Sequence, residues 1–215
     1  MKGICFQQSL FPKVVDGYKT KTRRIITCPK NAFGIQVSKN KKGQVTGVFA
    51  LDENERTVKP GTEMEWRISP RYKPGETVFL KEPYCIDLKG NIAYKYPPQN
   101  ILLNFGNVEW KNKLFMPKSA ARYFIKINGV RVERLQDISE EDCMDEGITF
   151  EFKEVAKPAL GCVLTATVCY KNGDGKEYES PREAFATLID SINGKGTWNS
   201  NPFVFAYEFE LISNQ

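Results

Sequence analysis

Apolar and polar residues alternate along several short segments of the chain, and this period of two predicts β-strands. Strands are expected at residues 2–6, at 35–51 as a pair around a Lys/Asn/Gly turn, and at 62–69, 77–81 and 203–212. The last strand places five large apolar side chains on one face, which predicts a position in the core: Phe203, Phe205, Tyr207, Phe209 and Leu211.

Three further segments have less regular patterns. Residues 121–135, ARYFIKINGVRVERL, alternate across a central Asn-Gly and fit either one long bulged strand or a hairpin. Residues 160–179 predict a hairpin with its turn at NGDGK. Residues 87–115 mix Gly, Asn, Pro and aromatic residues without a period, so they are expected to form a loop or an insertion.

The predicted helices are marked by residues that favour helix ends. In LFPKVVDG, Pro12 lies in the first turn of a short helix and Gly17 ends it. Ser139 is expected to cap a second helix, which has acidic residues in its first turn and ends at Gly147. A third helix opens with a capping box at Ser180. Its apolar face consists of Phe185, Leu188, Ile189 and Ile192.

Many short strands with a few helices predict an α+β fold, a small mixed β-barrel with flanking helices. The chain has 215 residues and no repeat or low-complexity linker, so a single domain over residues 1–215 is expected. No run of 18 apolar residues is present, and the first residues lack the apolar run of a signal peptide. We therefore expect a cytoplasmic protein without a membrane partner.

The chain contains six cysteines and no histidine. The cysteines are scattered, without a Cys-x-x-Cys pair, so neither a zinc site nor a disulfide framework is expected. Reduced and mostly buried thiols fit this pattern better. No metal and no cofactor are predicted.

The net charge is +5, and four cations fall within six positions of the segment DGYKTKTRR, residues 16–24. A solvated basic turn, a phosphate contact and a catalytic site are all compatible with this segment. The forked donors of Arg23 and Arg24 suit phosphate, but either arginine can instead pair with Glu82 or another carboxylate of the fold. A second basic segment, SKNKKGQ, is expected to be a solvated hairpin tip.

Four segments together resemble the ASCH family, in particular its phage- and prophage-encoded branch: VVDGYKTKTRRI, YKPGETVFLKEPY, RVERLQDISEEDCMDEGI and FATLIDSINGKGTWNSNPFVFAYEFELI. This chain has Phe203 and Phe205 where prophage relatives often carry tryptophans. The resemblance implies a PUA-like fold, a compact β-barrel with helices around a cleft, that binds RNA or modified nucleobases. Residues 31–74, 87–115 and 150–179 would then be elaborations of a smaller ASCH core.

The resemblance also implies candidate catalytic residues. One small bacterial ASCH protein removes the acetyl group from N4-acetylcytidine with a lysine, a threonine and a glutamate. Its Gly-x-Lys-Thr-x-Thr run corresponds to residues 17–22 here, which implies these roles for Lys19 and Thr22. Its glutamate lies near the end of the helix after the central strand and corresponds to Glu146. Two aspartates of the same helix are alternatives: Asp142 and Asp145.

Amide hydrolysis without histidine or metal requires an activated nucleophile and a proton carrier. A lysine is almost fully protonated near neutral pH, so burial or nearby positive charge must lower its pKa. Such charge is supplied by Lys21, Arg23 and Arg24. Lys19 would accept the proton of Thr22, and Glu146 would orient Lys19 or protonate the leaving amine. This mechanism requires a bent backbone, because positions 19 and 22 of a straight strand point to opposite faces.

Further residues are expected to line the cleft and contact the ligand: Thr20, Lys21, Arg23, Arg24 and Tyr84, with Glu82 as a second candidate for the acid. Trp198 and Asn199 lie on a Gly-rich loop, where Trp198 either stacks on a base or anchors the loop. Binding of RNA or a modified nucleoside is then the leading function. Hydrolysis of an acylated cytidine is the alternative, and an interaction module without a nucleic-acid ligand is a third class.

Overall fold

The computed structural model describes residues 1–30, 32–52, 67–86, 90–96, 109–154 and 166–212. The strands of this part are β1 (Gly3–Cys5), β2 (Lys21–Ile25), β3 (Gly34–Lys39), β4 (Val45–Leu51), β5 (Thr77–Lys81), β6 (Tyr84–Ile86), β7 (Ile92–Tyr94), β8 (Phe124–Arg134), β9 (Thr149–Glu154), β10 (Ala166–Lys171) and β11 (Phe203–Ile212). The α-helices are α1 (Phe11–Val15), α2 (Glu140–Asp145), α3 (Pro181–Asn193) and α4 (Thr197–Ser200). Short 3₁₀ turns cover Lys113–Phe115, Lys118–Ala120 and Leu135–Asp137. The α+β class predicted from the sequence is therefore confirmed.

The central sheet has five strands in the order β1-β5-β8-β11-β2. Strand β1 runs parallel to β5, whereas the other neighbours are antiparallel. Glu208 of β11 pairs with Gly129 of β8, and Phe209 pairs with Ile127, so Asn128 is an extra residue in β8. The segment with two possible arrangements is thus one long strand with a bulge, not a hairpin.

The two edge strands of this sheet, β1 and β2, approach each other. Arg24 Nη2 of β2 donates a hydrogen bond of 2.6 Å to the backbone oxygen of Cys5 in β1. Within the described residues, no ladder of backbone hydrogen bonds joins the two strands, so these pairings do not close the sheet into a barrel. A side chain of β2 therefore bridges the gap between the two edge strands.

Two sequence predictions on the strands need correction. Strand β10 pairs along its length with β9, a strand that the sequence pattern did not predict. The turn expected at NGDGK is present, since Tyr170 and Tyr178 form an antiparallel bridge across it, and residues 160–165 of the predicted hairpin lie outside the described residues. Residues 92–94 form β7 against β6, although the sequence there has no clear period. The strand expected at 62–69 lies mostly outside the described residues, and Arg67 forms one bridge with Phe49.

Helix α3 packs its apolar face on the core, as predicted from its spacing. Ser180 Oγ accepts a hydrogen bond of 3.2 Å from the backbone NH of Glu183, which caps the helix. Ala184, Phe185, Leu188 and Ile189 are buried, whereas Ile192 is 38% exposed because it reaches the rim of a cavity. The sequence predicted one buried face for β11, but Val204 and Ala206 on its other face are also buried, so the strand is covered on both sides there.

Five cysteines fall within the described residues, and all five are free thiols: Cys5, Cys28, Cys85, Cys143 and Cys169. Cys162 and Trp66 lie outside these residues. Among the described helices, none combines the length and the apolar character that a membrane span requires.

Candidate functional site

The basic segment begins in a turn that two helices hold in place. Gly17 has a φ of 77°, the left-handed conformation that glycine adopts without strain, and it follows α1. The backbone NH of Lys19 then donates to the oxygen of Lys13 at 2.8 Å, and that of Thr20 donates to the oxygen of Asp145 at 2.9 Å. Lys19 and Thr20 therefore precede β2, and the bend that the proposed chemistry requires is present.

Lys19 is buried and forms an ion pair with Glu146, the residue that ends α2. The exposed fraction is 2% for Lys19 and 4% for Glu146. Lys19 Nζ donates to Glu146 Oε2 at 2.5 Å, to the backbone oxygen of Glu146 at 2.7 Å and to that of Lys21 at 2.9 Å. All three hydrogens of the ammonium group thus have an acceptor.

Burial lowers the pKa of Lys19 from its ordinary value of 10.5, because the charged form loses its hydration. Glu146 opposes this shift, and Arg24 and Arg23 add smaller contributions that lower the pKa. Both burial and the charge of neighbouring cations, including Lys21, were expected to lower this pKa. Burial is the larger cause, and Lys21 points instead toward carboxylates of α2.

The cations of this segment are largely neutralised inside the protein. Lys21 Nζ lies 2.6 Å from Asp142 Oδ1 and 2.8 Å from Asp145 Oδ2. Four basic and four acidic side chains are linked in this way, and we call them the ionic cluster: Lys19, Lys21, Arg23, Arg131, Glu133, Asp142, Asp145 and Glu146. The segment is therefore not a solvated basic turn.

Arg23 lies at the centre of the ionic cluster. Its Nε donates to Glu133 Oε1 at 2.7 Å, its Nη1 donates to Glu146 Oε1 at 3.2 Å, and its Nη2 contacts Asp142. Burial alone would lower the pKa of Arg23, but these carboxylates raise it. Three carboxylates of the fold therefore hold and neutralise the guanidinium.

A cavity of about 480 Å³ opens beside the Lys19–Glu146 pair, and we call it the Lys19 cavity. Its polar wall consists of Lys19, Thr22, Arg23, Arg24 and Glu146. Its apolar wall includes Phe6, Leu10, Phe185, Leu188 and Ile189. Thr22 belongs to β2, is buried and pairs with Tyr207 of β11. The structure thus brings the three residues matched to the family's catalytic set to one cavity.

Glu82 and Tyr84 were expected in this cleft, and the structure places neither of them among its lining residues. Glu82 is buried and accepts two hydrogen bonds from Arg122, from Nε at 2.7 Å and from Nη2 at 2.8 Å. Burial raises the pKa of Glu82, whereas Arg122 lowers it to a smaller extent. Tyr84 is buried in a separate apolar cluster with Met116 and Ala120. Neither residue lines the Lys19 cavity, so the structure does not support a role for them as ligand contacts there.

Trp198 and Asn199 also lie outside the lining of the Lys19 cavity. The indole ring of Trp198 packs edge-on against Phe185 with the ring centres 6.1 Å apart, and its backbone NH donates to Asp190 at 2.8 Å. These contacts favour the anchoring role of Trp198 over base stacking. Asn199 is exposed on α4. The backbone of Thr20 makes two hydrogen bonds: its NH donates to the oxygen of Asp145, and its oxygen accepts from the NH of Phe209, both at 2.9 Å.

Two members of the ionic cluster, Arg131 and Glu133, had no prediction from the sequence. Asp142 was named only as an alternative to Glu146 for the acid, not as an ion-pair partner. Asp142 and Glu146 are four residues apart, and this spacing on a helix was a usable signal for a shared face. Arg131 and Glu133 are two residues apart in β8, and residues at this spacing in a strand lie on the same face. Their meeting with β2 depends on the strand order and has no signal in the sequence.

Within the described residues, no group of three or more cysteine or carboxylate side chains is placed to hold a metal ion. The chain was also compared with protein-family models, with curated proteins and with solved structures, and none of these comparisons gave a match.

Proposed function

We propose that this chain is an ASCH protein that binds a nucleoside with an acylated base in the Lys19 cavity and hydrolyses the acyl amide. The observation that carries this proposal is the buried Lys19–Glu146 pair, which lines one cavity together with Thr22. Ionisable groups with shifted pKa values in a concave site are typical of catalytic centres. The pattern of lysine, threonine and glutamate also matches that of the bacterial ASCH amidohydrolase.

The size of the cavity supports a small ligand. A volume of about 480 Å³ lies within the usual range of small-molecule sites, about 300–1,000 Å³. The ionic cluster argues in the same direction, because Lys21 and Arg23 are held by carboxylates and are poor contacts for a phosphate backbone. Of the two ligands in the leading sequence-based expectation, RNA or a modified nucleoside in a basic cleft, this proposal takes the nucleoside.

In the proposed reaction, Thr22 Oγ attacks the acyl carbon of the N4-acyl group while its proton passes to the neutral amine of Lys19. The resulting ammonium then protonates the cytosine N4 atom as the C–N bond breaks. Cytidine leaves and Thr22 carries the acyl group as an ester. Water hydrolyses this ester in a second step, with Lys19 again accepting a proton and finally returning it to the threonine oxygen.

Glu146 has two functions in this mechanism. Its carboxylate orients Lys19 through the 2.5 Å contact, and it can take the proton that Lys19 must lose before the attack. Arg23 holds the second oxygen of the same carboxylate at 3.2 Å, which limits the rotation of Glu146. Burial supports the neutral amine, because it lowers the pKa of Lys19.

A second candidate is binding of RNA or a modified nucleoside without hydrolysis. The favouring observation is that the Lys19 ammonium donates three hydrogen bonds to the protein, which stabilises its protonated form. In this case the Lys19–Glu146 pair would shape the cavity and recognise a polar base. An interaction module without a nucleic-acid ligand is the third class.

The proposal includes the fold that the family implies. The contact between Arg24 and Cys5 across the sheet edges supports a strongly curved sheet, as a PUA-like barrel requires. Residues 31–74, 87–115 and 150–179 would be elaborations of this core.

The test is to incubate the native protein with a panel of N4-acylated cytidines and to quantify cytidine and the free acid by chromatography. Cytidine and N4-methylcytidine serve as non-hydrolysable comparison ligands in a parallel binding titration. Release of acid supports hydrolysis. Saturable binding without release supports the second candidate, and neither binding nor release supports the interaction module.

A further inference from the structure

A second cavity, of about 550 Å³, occupies the gap between the edge strands β1 and β2. It shares three lining residues with the Lys19 cavity, Cys5, Arg24 and Leu114, so the two cavities are neighbours. The Arg24 side chain, which donates to the oxygen of Cys5, lies in the wall between them. We call this second space the Arg71 cavity, because Arg71 lines it and does not line the Lys19 cavity.

The Arg71 cavity is lined by three cations, Arg24, Arg71 and Lys81, and by none of the carboxylates of the described residues. Within that part of the chain, none of the three cations forms an ion pair. Lys81 Nζ donates to the backbone oxygen of Leu114 at 2.5 Å, and the Arg71 guanidinium lies 5.7 Å from the ring centre of Tyr72. This is the reverse of the ionic cluster, where each cation contacts a carboxylate.

Lys81 reaches this cavity because of a glycine in the neighbouring strand. A Cβ atom at Gly3 would lie 2.5 Å from Cε of Lys81 and 2.6 Å from the ring of Phe79. Both distances are shorter than van der Waals contact, so any side chain at position 3 would displace the lysine. Because Gly3 has no side chain, there is room for the Lys81 side chain to cross β1 toward the cavity.

The remaining walls of the Arg71 cavity are largely apolar and aromatic. Tyr72 and Tyr207 pack edge-on with ring centres 5.4 Å apart, and Phe205 lies beside them in the lining. Burial raises the pKa of Tyr72 and of Tyr207, so both phenols are neutral at physiological pH. The described walls therefore carry positive charge and no negative charge.

We propose that the Arg71 cavity binds a phosphate group of the ligand whose base occupies the Lys19 cavity. Cations without carboxylate partners in a concave site attract an anion, and the forked donors of arginine suit phosphate oxygens. Because the two cavities are neighbours with Cys5, Arg24 and Leu114 in common, a nucleotide with its base in the Lys19 cavity would place its phosphate toward the Arg71 cavity. The substrate class is then a phosphorylated nucleotide unit and not a free nucleoside. This inference rests on the proposed function, which places the base in the Lys19 cavity, and it adds a binding site for the phosphate.

The test compares three ligands: N4-acetylcytidine, its 5′-monophosphate, and a single-stranded trinucleotide with N4-acetylcytidine at its centre. Affinity is measured by isothermal titration calorimetry, and kcat/KM is measured in parallel. We expect both phosphate-containing ligands to bind about tenfold or more tightly than the nucleoside, since hydrogen bonds to a charged group stabilise binding by about 1.5–3 kcal/mol. The monophosphate and the trinucleotide distinguish a free nucleotide from a nucleic-acid strand as the source of the phosphate.

Two variants assign the effect to the Arg71 cavity. Arg71→Gln and Lys81→Gln should each reduce the preference for phosphate while the affinity for the nucleoside stays as in the native protein. Lys176→Gln removes the same charge from an exposed turn that lines neither cavity, and it should leave the preference unchanged. Two separate variants are used so that a folding defect in one of them, detected by its thermal unfolding curve, does not decide the result.

The outcomes separate this inference from the proposed hydrolysis. Equal affinity for the nucleoside and the monophosphate overturns the phosphate site, whether or not acid is released. A preference that persists in both variants also overturns the phosphate site, because the phosphate then binds elsewhere. Failure of both phosphate-containing ligands to bind overturns it as well. A preference that both variants reduce, without any release of acid, supports the phosphate site and rejects hydrolysis.

Discussion

Lys19 and Glu146 are 127 positions apart in the sequence, yet the ammonium nitrogen and a carboxylate oxygen lie 2.5 Å apart, and both side chains are almost fully buried. Burying two charges carries a desolvation penalty that their attraction often fails to offset, so such a pair is weak evidence of a stability role. The pair also lines a cavity together with Thr22, and ionisable groups in a concave site are candidates for catalysis.

The coupling of the buried pair can be measured with a double-mutant cycle of Lys19→Met and Glu146→Gln. Each single change should lower the free energy of unfolding by about 3–5 kcal/mol, because the remaining partner stays buried without its counter-charge. The double variant should lose less than the sum of both, by about 0.5–3 kcal/mol. Urea unfolding followed by circular dichroism gives these values.

A cycle of Lys21→Met and Asp145→Asn is the matched control, since the same atom types meet there at 2.8 Å at a more exposed position. Exposed pairs contribute about 0.2–1 kcal/mol, so its coupling should be smaller. Additive losses for Lys19 and Glu146 would contradict the view that the two side chains form one unit.

Thr22→Ala should reduce kcat for an N4-acylated cytidine by about 1,000-fold or more, because it removes the attacking hydroxyl. Steady-state assays of acid release measure this effect. Thr22→Ser keeps the hydroxyl and should retain more activity than Thr22→Ala. The control is Thr20→Ala in the same segment, where the described contacts are made by the backbone. If Thr22→Ala and Thr20→Ala lost activity equally, Thr22 would not be the nucleophile.

The pH dependence of kcat/KM should report the titration of Lys19. The reactive form is the neutral amine, so the rate should rise with pH. The midpoint should lie below 10.5, the ordinary lysine value, because burial lowers the pKa of Lys19. A rate profile recorded across the lysine range, with a parallel unfolding check at each pH, tests this. A rate that falls with rising pH, or a midpoint at or above the ordinary value, would exclude Lys19 as the base.

Acid should destabilise the protein partly through Asp142. Burial opposes ionisation of this carboxyl, but hydrogen bonds from Lys21 and Arg23 and the charge of Arg131 lower its pKa below the ordinary value of 3.8. The unfolded chain therefore binds the proton first as the pH falls. The resulting stabilisation is complete above 3.8 and is lost as the pH falls through the folded-state pKa.

Urea unfolding at a series of acidic pH values should accordingly show a weaker dependence on pH for Asp142→Asn than for the native protein. Asp16→Asn makes the same change on an exposed carboxylate after α1, outside the ionic cluster, and serves as the control. An unchanged acid dependence in Asp142→Asn would show that this carboxylate does not contribute.

Gly147→Ala should disturb the position of Glu146. Gly147 has a φ of 98°, where a side chain is strained, and an added Cβ would lie 3.3 Å from Cδ of Lys13 and 3.4 Å from Cδ2 of Leu10. The strain alone costs about 1–2 kcal/mol. Gly175→Ala is the control, since its φ is 82° but no atom lies within 4 Å of the added Cβ. Thermal unfolding should show the larger loss for Gly147→Ala, and equal losses would contradict the close packing.

Local signals in the sequence predicted the elements that position the site. Ser139 caps α2, Gly147 ends it, and Gly17 follows α1, because these ends depend on neighbouring residues only. The likeness to the ASCH pattern singled out Lys19, Thr22 and Glu146. Glu82 instead pairs with Arg122, and its place in the sequence directly after β5 carries no information about the position of that arginine.

The sequence by itself determined strands β1, β5 and β11, the helix ends and the strong local excess of positive charge between residues 19 and 24. Only the tertiary structure decided what that charge does. The order of the strands brings Glu133 of β8 and the acidic face of α2 onto β2, so Lys21 and Arg23 are neutralised, whereas Arg24 extends across the gap toward β1 and pairs with no carboxylate of the described residues. Coulomb interactions depend on distances in space, and distances between remote segments follow from the packing of the sheet and not from the local pattern.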